Sequence, residues 1–431
     1  MKKIFSSVVA LILIFSLYSC KNDNTLTSFD NTQKEIAEDW QNQSIVLPKK
    51  DVLTVNADDT FKKVTIRNFV ISERVQNYWF GIKSKHHSGG IDDTELLIDT
   101  NTNKELSLKY PKKFPTWQVS SGAYVVLNER YLYEWRSYPS EFEEDTKHNM
   151  KLTRLDVKSG KISIVCEVKL DTPLVYLCKI DDSHFLSYYT VKAQSNRVEY
   201  ATLTVAEIYN VNGTKTEIIR EKYENDVNWT DSEGILLERL TIVNGEIYGF
   251  GRRQIGGKYQ FFLYRYDKNG KLLETQSLPS FDKIISNEQP FDFHIIDNYI
   301  IFKTYESLTS YICKLTDNGV KLIAKGENGS LPYGYYTNSN KNSYIFFIET
   351  NVNDDATIKD KACPLYILDV QSGTIKALNF TISLYTPYFV NFKVLLNGDL
   401  LFTYCEKQYD PMNQEQFILT NNDLNKIIEL Y

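Results

Sequence analysis

The sequence predicts an all-β fold, a β-propeller of four-stranded antiparallel blades, seven in number with six and eight as the neighbouring counts. Two interleaved families of hairpin turns predict it, together with an aromatic load of 30 Tyr and 23 Phe in 431 residues. The first family places Asp or Asn before a Gly, between two apolar runs. It reads RLDVKSGKI at 154–162 and nearly repeats as ILDVQSGTI at 367–375. Variants run from Asn210 to Gly213, Asp267 to Gly270 and Asp317 to Gly319. The turn glycines Gly160, Gly213, Gly270, Gly319 and Gly373 follow one another at intervals of 53, 57, 49 and 54 residues. Degenerate members are expected at Asp99 to Lys104 and at Thr420 to Lys426. Gly supplies the positive φ such turns require, and Asp or Asn side chains bond the turn backbone.

The second family alternates with the first at Asn128-Glu129, Asp181-Asp182, Asn244-Gly245, Asp297-Asn298 and Asn397-Gly398. Weaker members fall around Asn338 to Ser343 and Ser72 to Gln76. Two hairpins per period make four strands. Four strands recurring about every 50 residues are the mark of a propeller.

Ahead of the repeat, Lys2 and Lys3 precede the apolar run Val8 to Leu17, and Leu17-Tyr18-Ser19-Cys20 follows. A membrane-spanning helix needs about 20 apolar residues, so this run is too short to span comfortably. It resembles the bacterial lipoprotein signal, whose terminal cysteine is acylated. That resemblance implies removal of residues 1–19, lipidation of Cys20 and a polar tether over 20–58, with the propeller occupying 59–431. Lys21 in place of Asp departs from the inner-membrane retention pattern and favours the outer membrane, with the periplasmic or surface-exposed side left open. Contact with the membrane is then through the lipid alone. A short helix in the tether is one alternative for Thr32 to Trp40, plain disorder the other.

Composition and missing motifs narrow the function. A formal charge of −6 without a basic block excludes nucleic acid as a partner. The five cysteines after Cys20 have no CxxC or zinc spacing and read as structural. No Trp-Asp dipeptide, per-blade Gly-Gly, nucleophile elbow or phosphate loop occurs. The adjacent His86-His87 lacks the spacing of a metal pair, and the acidic run Glu141 to Asp145 reads as a solvated loop. No metal, cofactor or catalytic residue is assigned. With its lipobox, polar tether and Asp-x-x-x-Gly hairpins, the chain resembles the TolB-like and domain-of-unknown-function propeller lipoproteins of Gram-negative bacteria. The resemblance implies a fold and an envelope location and carries no site residues.

Both turn families belong to one face of the ring. The other face receives the connections between strands B and C and between blades, and these are long. They include Lys83 to Thr94, Ser137 to Met150, Thr190 to Glu199, Glu349 to Cys363 and Cys405 to Glu415. Tyr110 to Thr116, Lys222 to Glu233 and Ser277 to Pro290 join blades. Long loops on a rigid frame carry function. Candidate ligand-binding residues there are Trp117, Arg136, Tyr138, Trp229, Arg252, Arg253, Tyr305, Tyr333 and Tyr409. Aromatic side chains offer broad contact at low entropic cost, and arginine suits carboxylate or phosphate groups. The alternating Tyr131, Tyr133 and Trp135 are expected in the core. The reading that follows is noncatalytic recognition of a glycan, a peptide or an envelope protein; the alternative is a hydrolase or lyase acting on extracellular polysaccharide.

Overall fold

The computed structural model describes residues 52–429, except 57–61, 65, 67, 88–89, 113, 115–118, 139–147, 171–174, 194–200, 227–229, 244, 279–280, 282–289, 305–308, 317–318, 327–332, 338–341, 349–361, 382–387 and 406–413. Residues 1–19, Cys20 and the helix considered near Trp40 lie outside the described residues. Seven antiparallel sheets form a seven-bladed propeller. The strands of each are named A to D outward from the axis, where A strands of neighbouring blades pack together.

Blade 1 comprises Phe69–Val75, Tyr78–His87, Gly90–Asp99 and Glu105–Ser107. Blade 2 comprises Val119–Leu127, Tyr131–Tyr138, His148–Asp156 and Lys161–Leu170. In blade 3, Val175–Lys179, His184–Lys192, Ala201–Asn210 and Lys215–Asn225 are joined by a fifth strand, Ser232–Gly234. Blade 4 is Leu236–Val243, Glu246–Ile255, Lys258–Tyr266 and Leu272–Ser277, and blade 5 is Pro290–Ile296, Tyr299–Thr304, Ser310–Thr316 and Gly319–Gly326. Blade 6 is Tyr333–Thr337, Ser343–Ile348, Ala362–Asp369 and Ile375–Thr381.

The turns work as their chemistry demands. Asp99 Oδ1 accepts the amides of Asn101 and Thr102 at 2.8 and 3.0 Å. Asp267 Oδ1 accepts those of Asn269 and Lys271 at 2.8 and 2.9 Å. Asp369 Oδ1 holds Gln371 and Ser372 in the same way, at 2.9 and 3.0 Å. In the other family Asn128 and Glu129 both have φ of 51°. Glycine has a second reason at Gly270. A Cβ there would lie 1.9 Å from the Ile218 carbonyl oxygen on blade 3, so the turn of one blade is pressed against the outer strand of the previous one.

Ring closure departs from the local reading. Thr420 to Lys426 does not form a last hairpin. Thr420 caps a helix, Asn421–Glu429, its Oγ1 accepting the Asp423 amide at 3.2 Å and donating to Asp423 Oδ2 at 2.6 Å. The same polar residues that suit a turn suit an N-cap, and here the cap wins. Blade 7 takes Tyr388–Val394, Leu400–Cys405 and Gln414–Leu419 from the C-terminal side, and its outer strand, Lys62–Val64, from the N-terminal side. A further strand, Val52–Asn56, lies within the segment read as tether and pairs parallel to the outer strand of blade 6.

Side chains reinforce the closure. Gln416 Oε1 accepts the Ile71 amide at 2.9 Å, and its Nε2 donates to the Phe69 carbonyl, next to the bulge of blade 1's A strand. Buried Glu73 meets Lys393 Nζ at 2.7 Å and accepts the Leu396 amide at 3.0 Å. Arg74 pairs with buried Asp399, whose other oxygen accepts the Asn421 amide at 2.9 Å.

Between blades the core is aromatic. Tyr133 and Trp135 are fully buried against blade 3, where Tyr133 stands 5.1 Å from Phe185 and the Trp135 indole donates to Ser187 Oγ at 2.9 Å. The described cysteines Cys166, Cys178 and Cys313 are unpaired. Burial pushes the Cys178 thiol up to about 12, which suits a packing role. Of the long connections, Lys83 to Thr94 is largely paired strand, His87 facing Gly90, and Lys222 to Glu233 contains the paired residues Glu224 and Glu233.

Gly270→Ala should destabilise by about 3 kcal/mol or more in denaturant unfolding, since it adds a clash to the cost of a positive φ. Gly245→Ala, with φ of 83° but nothing within 4 Å, should cost about 1 kcal/mol. Equal losses would contradict the inter-blade contact. Asp156 is held down to about 2, chiefly by hydrogen bonds from Arg130. Its folded pKa is below the unfolded value, so its contribution is complete above about pH 4 and disappears as pH falls through 2. Thermal midpoints of Asp156→Asn and the unaltered protein should differ at pH 6 and converge near pH 2.

Candidate binding arc on blades 4 to 6

On the long-connection face, B strands end and C and A strands begin. Blade 4's B strand ends in Arg252, Arg253, Gln254 and Ile255, then turns through Gly256 and Gly257, both at positive φ. Asp231 Oδ1 accepts the Gly256 amide at 3.0 Å and the Thr230 carbonyl accepts that of Gly257 at 2.7 Å. The glycine-rich segment is thus a tight hairpin bound to the preceding connection.

Successive residues of a strand face opposite ways, so the two arginines separate. Arg252 lies over the Tyr259 ring at 4.2 Å, with its Nε 2.7 Å from Glu238 Oε1. Arg253 turns to the blade 3 side and lies 5.7 Å from the Phe262 ring.

Blade 5 adds Lys303 at the end of its B strand and His294 just beyond a bulge between Phe291 and His294. Blade 6 adds Tyr333 and Tyr335, on one face of its A strand. The Lys303 ammonium stands 4.8 Å from the Tyr333 ring centre. The His294 ring is 6.1 Å from Tyr333, edge-on, and 5.1 Å from Tyr335. Tyr335 is 40% exposed, high for so large a ring. Cation and ring order one another here, and the open ring remains a contact surface.

On the other side of blade 5, in its seam with blade 4, is an aromatic stack. Phe250 and Phe293 lie 3.7 Å apart and nearly parallel, joining blade 4 to blade 5. Phe281 and Phe302 extend the stack at 5.9 Å from Phe250 and 6.1 Å from Phe293 respectively. All four are at most 4% exposed. Packed strands hold binding groups more precisely than loops do.

The remaining candidates are distributed differently. Arg136 is 2% exposed, and its guanidinium meets Glu95 at 2.7 Å and Glu134 at 2.8 Å. Tyr110 donates to the same Glu95 oxygen at 2.6 Å; burial first, then the Glu95 charge, raises its phenol pKa. Arg136 therefore holds Glu95 and Tyr110 in place. Tyr138 ends the same strand opposite Asn149. Trp117, Trp229, Tyr305 and Tyr409 lie outside the described residues. His294, Lys303, Tyr335, Glu238 and Tyr259 were not among the candidates. Only the alternation Tyr333-Gly334-Tyr335 marked any of them in the sequence. Among the described residues no group of three His, Cys, Asp or Glu is placed to hold a metal ion.

No family model and no curated protein matches this chain. It is similar to solved structures at low identity. An oligogalacturonate lyase in complex with manganese is 9% identical with a TM-score of 0.43, over 85% of this chain and 98% of the other. The propeller domain of the Trilobed protease from Pyrococcus furiosus is 14% identical with a TM-score of 0.41, over 72% and 84%. An α-L-arabinanase of Penicillium chrysogenum with bound arabinobiose is 9% identical with a TM-score of 0.37, over 72% and 95%. The blade assignment rests on strand pairing, and no activity is carried over from these proteins.

Proposed function

We propose that this chain is a lipid-anchored outer-membrane propeller of the TolB-like kind that binds a glycan without transforming it, through the arc on blades 4 to 6. The observation that carries the reading is the exposed Tyr335 ring beside His294, with Tyr333 and Lys303 next to it on the seam between blades 5 and 6. A sugar presents an apolar ring face for stacking, and its hydroxyl or carboxylate groups meet the adjacent polar side chains. Arg252 over Tyr259 repeats the combination on blade 4. Anchoring is supported by the apolar run Val8 to Leu17 and the Leu17-Tyr18-Ser19-Cys20 that follows it.

The test uses the chain from Lys21 onward and a panel of neutral and acidic oligosaccharides and peptides. The unaltered protein should retain an oligosaccharide, released intact after prolonged incubation. Tyr335→Ala should weaken retention at least tenfold, about 1.4 kcal/mol, while the thermal midpoint shifts by no more than about 2 °C. New chain ends accumulating with time would replace the reading by an enzyme, and retention of peptides alone would replace the glycan. In cells, Cys20→Ala should abolish incorporation of labelled fatty acid; persistent labelling would refute the anchor assignment.

A further inference from the structure

The seam between blades 3 and 4 encloses polar groups with no part in the arc. Glu221 projects from the outer strand of blade 3, on the same face as Ile219, toward blade 4. Opposite stand Tyr264 and Tyr266 on blade 4's C strand, 0% and 1% exposed, and Arg253 on its B strand. The hydroxyls of Tyr264 and Tyr266 and the Nε of Arg253 are buried without a hydrogen bond of ordinary geometry; the Arg253 guanidinium stands near the Tyr264 hydroxyl and opposes the rise that burial gives its pKa. Glu221 feels the charge of Arg253, yet desolvation dominates and raises its pKa. Three buried donors without acceptors would each cost about 1–3 kcal/mol, so such groups are ordinarily satisfied.

The backbone beside them is glycine. A Cβ at Gly251 would come within 3.0 Å of Tyr264 Cε2, and one at Gly249 within 3.4 Å of Tyr266 Cε2. The Tyr264 ring therefore lies directly against the B strand at Gly251, and the Tyr266 ring is in ordinary contact with it at Gly249.

We propose that Glu221, Arg253, Tyr264 and Tyr266 form an internal hydration site, in which one water molecule joins blade 3 to blade 4. A water molecule accepts two hydrogen bonds and donates two. It takes them from Arg253 Nε–H and one phenol, and returns them to the other phenol oxygen and the Glu221 carboxylate. Arg253 Nε, both phenol oxygens and the carboxylate then each take part in one hydrogen bond, the second phenol as acceptor only, and the charges on the two blades are coupled through the shared molecule. The site is independent of the ligand proposed above.

Two measurements test it. A crystal structure at better than about 1.8 Å should show a density peak within hydrogen-bond distance, about 2.6–3.2 Å, of both phenol oxygens. Tyr264→Phe and Tyr266→Phe keep the rings and remove only the hydroxyls. Each should lower the folding equilibrium constant about fivefold, and the double variant should lose less than the product of the two, because the groups share one partner. A dry contact in the crystal overturns the proposal. So do Phe variants as stable as the unaltered protein or more so, the result expected where an unpartnered buried hydroxyl is deleted. If the variants do not fold, the density in the unaltered protein decides alone.

Discussion

The structure depends on closing the ring with strands from opposite ends of the chain. Blade 7 owes its outer strand to Lys62–Val64, paired with Gln416 to Ile418 more than 350 residues later. That pairing is only three residues long, so its backbone bonds alone make a weak clasp. The adjoining polar contacts supply the rest. Glu73 and Asp399 are buried carboxylates, and each is expensive unless its oxygens are occupied. Lys393 and the Leu396 amide occupy Glu73, and Arg74 and the Asn421 amide occupy Asp399. Because they join blade 7, blade 1 and the C-terminal helix, these carboxylates reward only the closed ring.

Closure then makes the remaining seams possible. A blade cannot bury both faces alone, so each depends on its neighbours for a core. The aromatic excess serves this need, as Tyr133, Trp135, Phe185 and Tyr209 do between blades 2 and 3. The phenylalanine stack at blades 4 and 5 has a further consequence. It joins the strands that carry Arg252 and His294, so the groups on those two strands are presented in one arrangement. Tyr335, on the innermost strand of blade 6, stays exposed. The same residue type is thus cement in one place and surface in another, Tyr133 fully buried and Tyr335 40% exposed.

Much of this architecture could be read from the sequence because turn chemistry is local. Asp99, Asp267 and Asp369 each bond amides two or three or four residues ahead, so the hairpins announce themselves without knowledge of the fold. Closure could not be read, since nothing near Lys62 names Gln416 as its neighbour. Thr420 to Lys426 misled for a related reason, because Asn and Asp serve caps and turns equally well. The binding arc was half legible. Tyr333 and Arg252 were found from their positions beside predicted loops, whereas Lys303 and His294 become partners of Tyr333 only when blade 5 meets blade 6. Arg136 shows the converse. It ends a strand at the rim as Arg252 does, yet Glu95 from the previous blade and Glu134 from its own enclose it at 2% exposure, whereas Arg252, paired with Glu238, keeps 14%.

The proposed recognition falls on one arc of a rigid ring, where the open Tyr335 ring stands beside His294, and Tyr333 beside Lys303. The most direct measurement is amide hydrogen exchange with and without a retained oligosaccharide. Slowed exchange should be confined to peptides covering 252–260, 294–304 and 333–337, with the short turns around Gly160, Gly270 and Gly373 unchanged. Protection centred on those turns, or on blades 1 and 2 around Arg136, would contradict it.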